Sequence, residues 1–127
     1  LAEWLRPGGR LVMTTPNGNY FRNDLPSFTS LGDASTFEAR QFTADGDGHF
    51  FAYEAAELVA CFPRTVFSEV DVRYFETPWV SGHAKFRFVQ PFVGEQLCRI
   101  LDRATLGVPW LARPLSHQLM VQARKGE

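Results

Sequence analysis

Cysteine is scarce in this chain, and its scarcity excludes a good deal. The two residues, Cys61 and Cys98, form no C-x-x-C pair and no spaced metal pattern, so neither a disulfide scaffold nor a thiolate metal site is expected. Each falls inside an apolar helical pattern, where a thiol serves packing rather than nucleophilic attack. Long apolar runs are also missing. Nothing approaches the roughly 20 residues that span a bilayer, and no charged, then apolar, then small-residue N-terminus resembles a signal peptide. A cytoplasmic protein without a membrane span is therefore expected. Charge of one sign is absent too, with a net value of −1, which gives no reason to expect a general binder of nucleic acid or anionic lipid. Residues 1 to 63 are acidic and residues 64 to 127 mildly basic, with the basic residues spread out. No G-x-S-x-G, Walker loop or G-x-G-x-x-G occurs, which leaves hydrolase, nucleotide-triphosphatase and dehydrogenase chemistry without a motif. Internal repeats and low-complexity tracts are likewise lacking.

Aromatic and aliphatic residues are plentiful. The 127 residues are 45% hydrophobic, with twelve Phe and three Trp, enough to build one small domain and to exclude general disorder. Leu1, Trp4 and Leu5 read as the last turn of an amphipathic helix stopped by Pro7-Gly8-Gly9, with a glycine taking the left-handed cap. The chain does not begin with Met, and a helix at residue 1 is expected to have its start upstream. Arg10 to Thr15 predicts a short strand of the kind buried on both faces of a parallel sheet.

From Asn17 to Gly48 turn residues interrupt the pattern while Tyr20, Phe21, Phe28, Phe37 and Phe42 recur, which predicts a long lid or binding loop rather than a plain disordered linker. Tyr53 to Phe62 predicts a helix with Ala55, Leu58, Val59 and Phe62 on one face, ended by Pro63. Val66 to Phe75 alternates as a half-buried strand, with Val66, Val70, Val72 and Tyr74 on one face and Glu69, Asp71 and Arg73 on the other between Phe67 and Phe75. An insert follows over residues 77–116. It is irregular to Gln90, then predicts one helix opened by Pro91 with Val93, Leu97, Ile100, Leu101 and Ala104 on its apolar face, ended by Gly107 and Pro109. Gln118 to Arg124 predicts the last strand.

Two stretches carry a family resemblance. Pro7-Gly8-Gly9-Arg10-Leu11-Val12-Met13-Thr14-Thr15-Pro16-Asn17 and, later, Gly48-His49-Phe50-Phe51-Ala52-Tyr53-Glu54-Ala55-Ala56-Glu57-Leu58 resemble the second half of class I S-adenosylmethionine-dependent methyltransferases. The closest likeness is to small-molecule enzymes such as those of ubiquinone biosynthesis. Where that family has Gly-Phe after the helix, this chain has Cys61-Phe62.

The resemblance implies an α/β fold, the C-terminal part of a Rossmann-like methyltransferase domain spanning residues 1–127. It implies a three-stranded mixed sheet with packed helices and the last strand between the other two. It further implies methyl transfer to a small organic or lipid-like acceptor, with S-adenosylmethionine bound mainly by an N-terminal half outside these residues. The fragment is then inactive alone. Acceptor contacts are expected from Thr15, Asn17, Tyr20 and Phe21, at the end of the first strand. The plain alternative is that Pro16-Asn17 only turns the chain and the aromatics are core.

His49 is the candidate general base, since imidazole titrates near neutrality and it follows Asp45-Gly46-Asp47-Gly48; the alternative is a histidine bonding locally at a helix start. That run does not make a calcium loop, lacking the glycine at position six and the acid at position twelve. His83 and His117 are far apart in sequence, with no carboxylate or cysteine at ligand spacing, so no metal is expected. A bare edge on the first strand implies a homo-oligomer through that edge. The rival to an enzyme is a non-enzymatic α/β module that binds a protein or apolar ligand.

Overall fold

The computed structural model describes residues 2–33, 35–37 and 48–127. Phe42 and the Asp45-Gly46-Asp47 run lie outside the described residues. Among the described residues the architecture is α/β, with a three-stranded antiparallel sheet and five α-helices. The strands are β1 (Arg10–Pro16), β2 (Phe67–Phe75) and β3 (Gln118–Lys125), in the order β1-β3-β2. The helices are α1 (Ala55–Ala60), α2 (Pro78–Ser81), α3 (Gln90–Val93), α4 (Glu95–Leu106) and α5 (Pro109–Leu115).

The last strand does lie between the other two, but the sheet is not mixed. β3 pairs antiparallel with β1 and with β2, which run in the same direction and are not paired with each other. A parallel pairing would need a further strand on the free edge of β1. That strand is also not buried on both faces. Leu11 and Met13 pack against the core, while Val12 is 60% exposed and Arg10 and Thr14 face solvent.

The core forms on one face of the sheet. Leu119, Val121 and Ala123 of β3 are buried against Leu58 and Phe62 of the α1 region and against Phe67, with Val70, Val72 and Tyr74 at its margin. A bulge between Phe67 and Glu69 resets the alternation, so that Phe67 and Val70 both point inward although three positions apart. Polar partners occupy the other face, where Arg124 lies 3.6 Å from Glu69 and Arg73 pairs with Asp71.

Helix α1 begins two residues later than its spacing predicts. Glu54 caps it, and Glu57 reaches back to accept a hydrogen bond from the Glu54 N–H at 2.8 Å, closing a capping box. The other oxygen of Glu57 accepts from the backbone and hydroxyl of Thr29, which ties the long loop to the helix. Burial raises the Glu57 carboxyl, but these hydrogen bonds outweigh it and hold the group below its ordinary range. Within α1, Leu58 is buried, Val59 is 41% exposed and Cys61 lies exposed at the C-cap.

The insert departs most from expectation. One helix is predicted over residues 77–116, and four α-helices are present, α2 to α5. Gly94, with φ of 85°, breaks the predicted helix into α3 and α4, and Pro109 starts α5 instead of merely ending its predecessor. The phase of α4 differs too. Its buried side carries Cys98, Leu101, Asp102 and Thr105, while Leu97 and Ile100 face out. Asp102 Oδ1 accepts from both the backbone N–H and the hydroxyl of the buried Thr77, at 2.9 and 2.8 Å, and this anchor sets the helix rotation.

Leu119 is fully buried at the centre of the core, so Leu119→Ala is expected to lower stability by about 2–5 kcal/mol. Urea unfolding with an unchanged m-value checks it.

Candidate functional site

Three strand ends meet at one edge of the sheet. Because β3 runs antiparallel between its neighbours, its first residue pairs with the last residue of each, Gln118 with Pro16 and with Phe75. The residue before it, His117, therefore sits between the chain leaving β1 and the chain leaving β2. Its backbone N–H donates to the Glu76 carbonyl, and its own carbonyl accepts from the Asn17 N–H at 3.0 Å.

Asn17 organises the turn out of β1. It is 1% exposed, its amide donates to the carbonyls of Arg113 and Ser116 at 2.8 and 2.7 Å, and its Oδ1 accepts from the Asn19 N–H. Both amide hydrogens are committed within the fold, so Asn17 acts as a staple joining β1 to the start of β3. Thr15 lies within β1 opposite Leu119. Tyr20, by contrast, is turned to the strand ends. Its hydroxyl is 2.8 Å from Nδ1 of His83, and its ring lies 4.8 Å from Phe21, 5.4 Å from His83 and 6.0 Å from His117.

His83 arrives from the helical insert. The turn after α2 passes through Gly82 at φ of 73°, where a side chain would meet the Arg87 Cβ at 3.1 Å. That turn brings His83 parallel to His117, with ring centroids 5.5 Å apart and planes 9° apart. His117 Nδ1 lies 3.0 Å from the Glu76 carbonyl, an acceptor only, so Nδ1 carries the hydrogen; Nε2 is 3.6 Å from the Glu76 carboxylate. Glu76 has φ of 62°, a left-handed conformation unusual for a glutamate, which turns the chain out of β2 beside His117.

The electrostatics give the pair a direction. Burial raises the Tyr20 phenol above its usual value, against a smaller lowering by Arg22, so the hydroxyl keeps its proton. Burial lowers His83, and the positive charges of His117 and Arg22 add to the lowering. In the tautomer with its hydrogen on Nε2, a neutral His83 accepts a hydrogen bond from the Tyr20 hydroxyl at Nδ1. A phenol that takes a proton from a bound hydroxyl or amine can pass its own to His83, leaving charge on the exposed imidazole.

Of the residues expected at the site, Tyr20 joins this cluster, Phe21 lies beside it 56% exposed, and Thr15 and Asn17 belong to the strand and its staple. His49 is exposed, ahead of the segment leading into α1. Sequence spacing missed the His83–His117–Glu76 grouping, because the pairing register of β3 sets His117 beside Glu76 and the turn at Gly82 brings in His83. Among the described residues no group of three or more His, Cys, Asp and Glu is placed to hold a metal ion, and no helix is long and apolar enough to cross a membrane. No protein-family model matches the chain, and no curated protein and no solved structure matches it either.

His83 titrates below its ordinary value of 6.5. Between that lowered value and 6.5 the unfolded chain binds more protons than the folded one, so acid costs stability across this interval. NMR titration of the His83 ring is expected to give a midpoint below 6.5, with the unfolding free energy falling as pH drops through the same range and flattening below it.

Proposed function

We propose that this chain supplies the acceptor side of an S-adenosylmethionine-dependent methyl transfer to a small organic or lipid-like molecule. The fold is then the C-terminal part of a Rossmann-like methyltransferase domain. The observation that carries the reading is the Tyr20–His83 pair beside His117 at the carboxyl ends of β1 and β2. In open α/β sheets, ligands bind in the crevice outside those strand ends. The strand order β1-β3-β2 supports the same assignment, since it is the order that the Pro7-Gly8-Gly9 and Gly48-His49 resemblance implies.

The rim residues suit an acceptor better than the cofactor. They offer a phenol, an imidazole and exposed aromatic surface, while the carboxylate present, Glu76, faces His117. The cofactor is held mainly by elements outside residues 1–127, where it supplies an electrophilic methyl group on sulfur. Phe21 would wall the acceptor, and Tyr20 with His83 would take the proton that the acceptor hydroxyl or amine gives up; S-adenosylmethionine would supply the methyl group, its carbon–sulfur bond breaking to leave the neutral thioether. This assigns proton removal to Tyr20 and His83 in preference to His49. Among the described residues the outer edge of β1 is unpaired, and through it the chain would meet either a second copy or a separate N-terminal chain.

Calorimetric titration of S-adenosylhomocysteine into this chain and into one extended upstream to the natural start tests the reading. Binding by the longer protein alone is expected, and silence from both transfers the assignment to a non-enzymatic binding module. In the extended enzyme, Tyr20→Phe is expected to lower kcat by about 10²–10⁴-fold with a smaller change in KM, measured at saturating cofactor.

A further inference from the structure

The helical insert combines an excess of positive charge with several highly exposed apolar side chains. Residues 78–115, the four helices of the insert, hold five Arg and Lys residues against Glu95 and Asp102, a net +3 in a chain whose total is −1. Both acids are engaged, Glu95 with Arg99 at 2.7 Å and Asp102 with Thr77. Among the described residues Lys85, Arg87, Arg103 and Arg113 make no ion pair.

Several apolar side chains of the same layer are exposed. Phe92 is 90% exposed, Trp110 74%, Phe88 60% and Ile100 58%. On α4, Leu97, Ile100 and Ala104 recur at helical spacing as an exposed stripe beside the packed side that carries Cys98 and Thr105, with Arg99 and Arg103 along its other border. The Arg87 guanidinium lies 4.8 Å over the Phe88 ring, which puts a cation and an aromatic at one point on the surface. A groove of about 550 Å³, lined in part by Trp79, Val80, Pro91, Cys98 and Arg99, opens between α2, α3 and α4.

We infer that this helical layer docks on the surface of an anionic lipid bilayer, independently of the methyl-transfer reading. Singly protruding Phe and Trp side chains on short helices enter the boundary between headgroups and acyl chains, while neighbouring Arg and Lys side chains hold lipid phosphates. Each cation near an anionic membrane adds attraction that salt screens, so binding depends on headgroup charge and ionic strength together. A nucleic-acid surface fits less well, because the cations border an apolar helix stripe instead of lining a groove between stacking rings.

Co-sedimentation with vesicles of equal phosphatidylglycerol and phosphatidylcholine, against phosphatidylcholine alone, tests the inference on the full chain. Partitioning is expected to be about tenfold or more stronger on the anionic vesicles and to be largely lost at ~0.5 M salt. The double variant Phe92→Ser with Trp110→Ser, both exposed and so compatible with an unchanged circular dichroism spectrum, is expected to weaken partitioning by about tenfold or more. Trp4→Ser, equally exposed but outside the layer, is expected to leave it unchanged. Equal partitioning on neutral vesicles, an equal loss from Trp4→Ser, or binding of a single-stranded oligonucleotide without vesicle binding would each overturn it.

Discussion

Everything distinctive here depends on β3 lying antiparallel between β1 and β2. The last strand of the chain provides both hydrogen-bonded ladders of the sheet, and its Leu119, Val121 and Ala123 are the most deeply buried row of the core. β1 and β2 are not paired with each other, so the sheet exists only once the C-terminal segment has paired with strands far away in sequence. Loop closure over such separations costs entropy before any contact repays it. That repayment comes from the apolar row facing α1 and from ladders made on both edges of a single strand.

The same constraint builds the site. A central antiparallel strand starts where its two neighbours finish, so the residue ahead of β3 is flanked by the residues that follow β1 and β2. His117, Asn17 and Glu76 are neighbours for that reason, and Asn17 secures the junction with two hydrogen bonds to carbonyls. Ser116, buried and bonded to Phe75, secures it on the other side. Upon this frame the Gly82 turn adds His83, and burial together with nearby positive charge keeps that ring neutral enough to accept the Tyr20 proton.

Legibility in the sequence followed the range of the interaction. The alternation of Leu119, Val121 and Ala123, the alternation of β2 and the Leu58–Phe62 face were readable because each reflects one element against one core. The left-handed glycine at the first turn was readable too, and Gly8 has φ of 71°. The phase of α4 was not. Its most apolar stripe, Leu97 and Ile100, faces out because a hydrogen-bonded anchor from Asp102 to a buried threonine turns the helix the other way. Nor was α5, since Pro109 has the same appearance whether a proline stops one helix or begins the next. A continuous helix from Pro91 looked plausible because a single glycine inside a helical pattern is a weak signal, and only the φ of 85° at Gly94 marks the break.

By itself the sequence determined the class of fold, the three strands, the position of α1 and the placing of Tyr20 on a turn at a strand end. These follow from periodicity and turn chemistry, which act over a few residues. Tertiary structure alone decided that the sheet is antiparallel throughout, that His83 and His117 stack beside Tyr20, and that the outer surface of the insert is both cationic and apolar. Each of those depends on register, helix rotation or chain crossing, and such quantities are set by contacts between segments that no local pattern encodes.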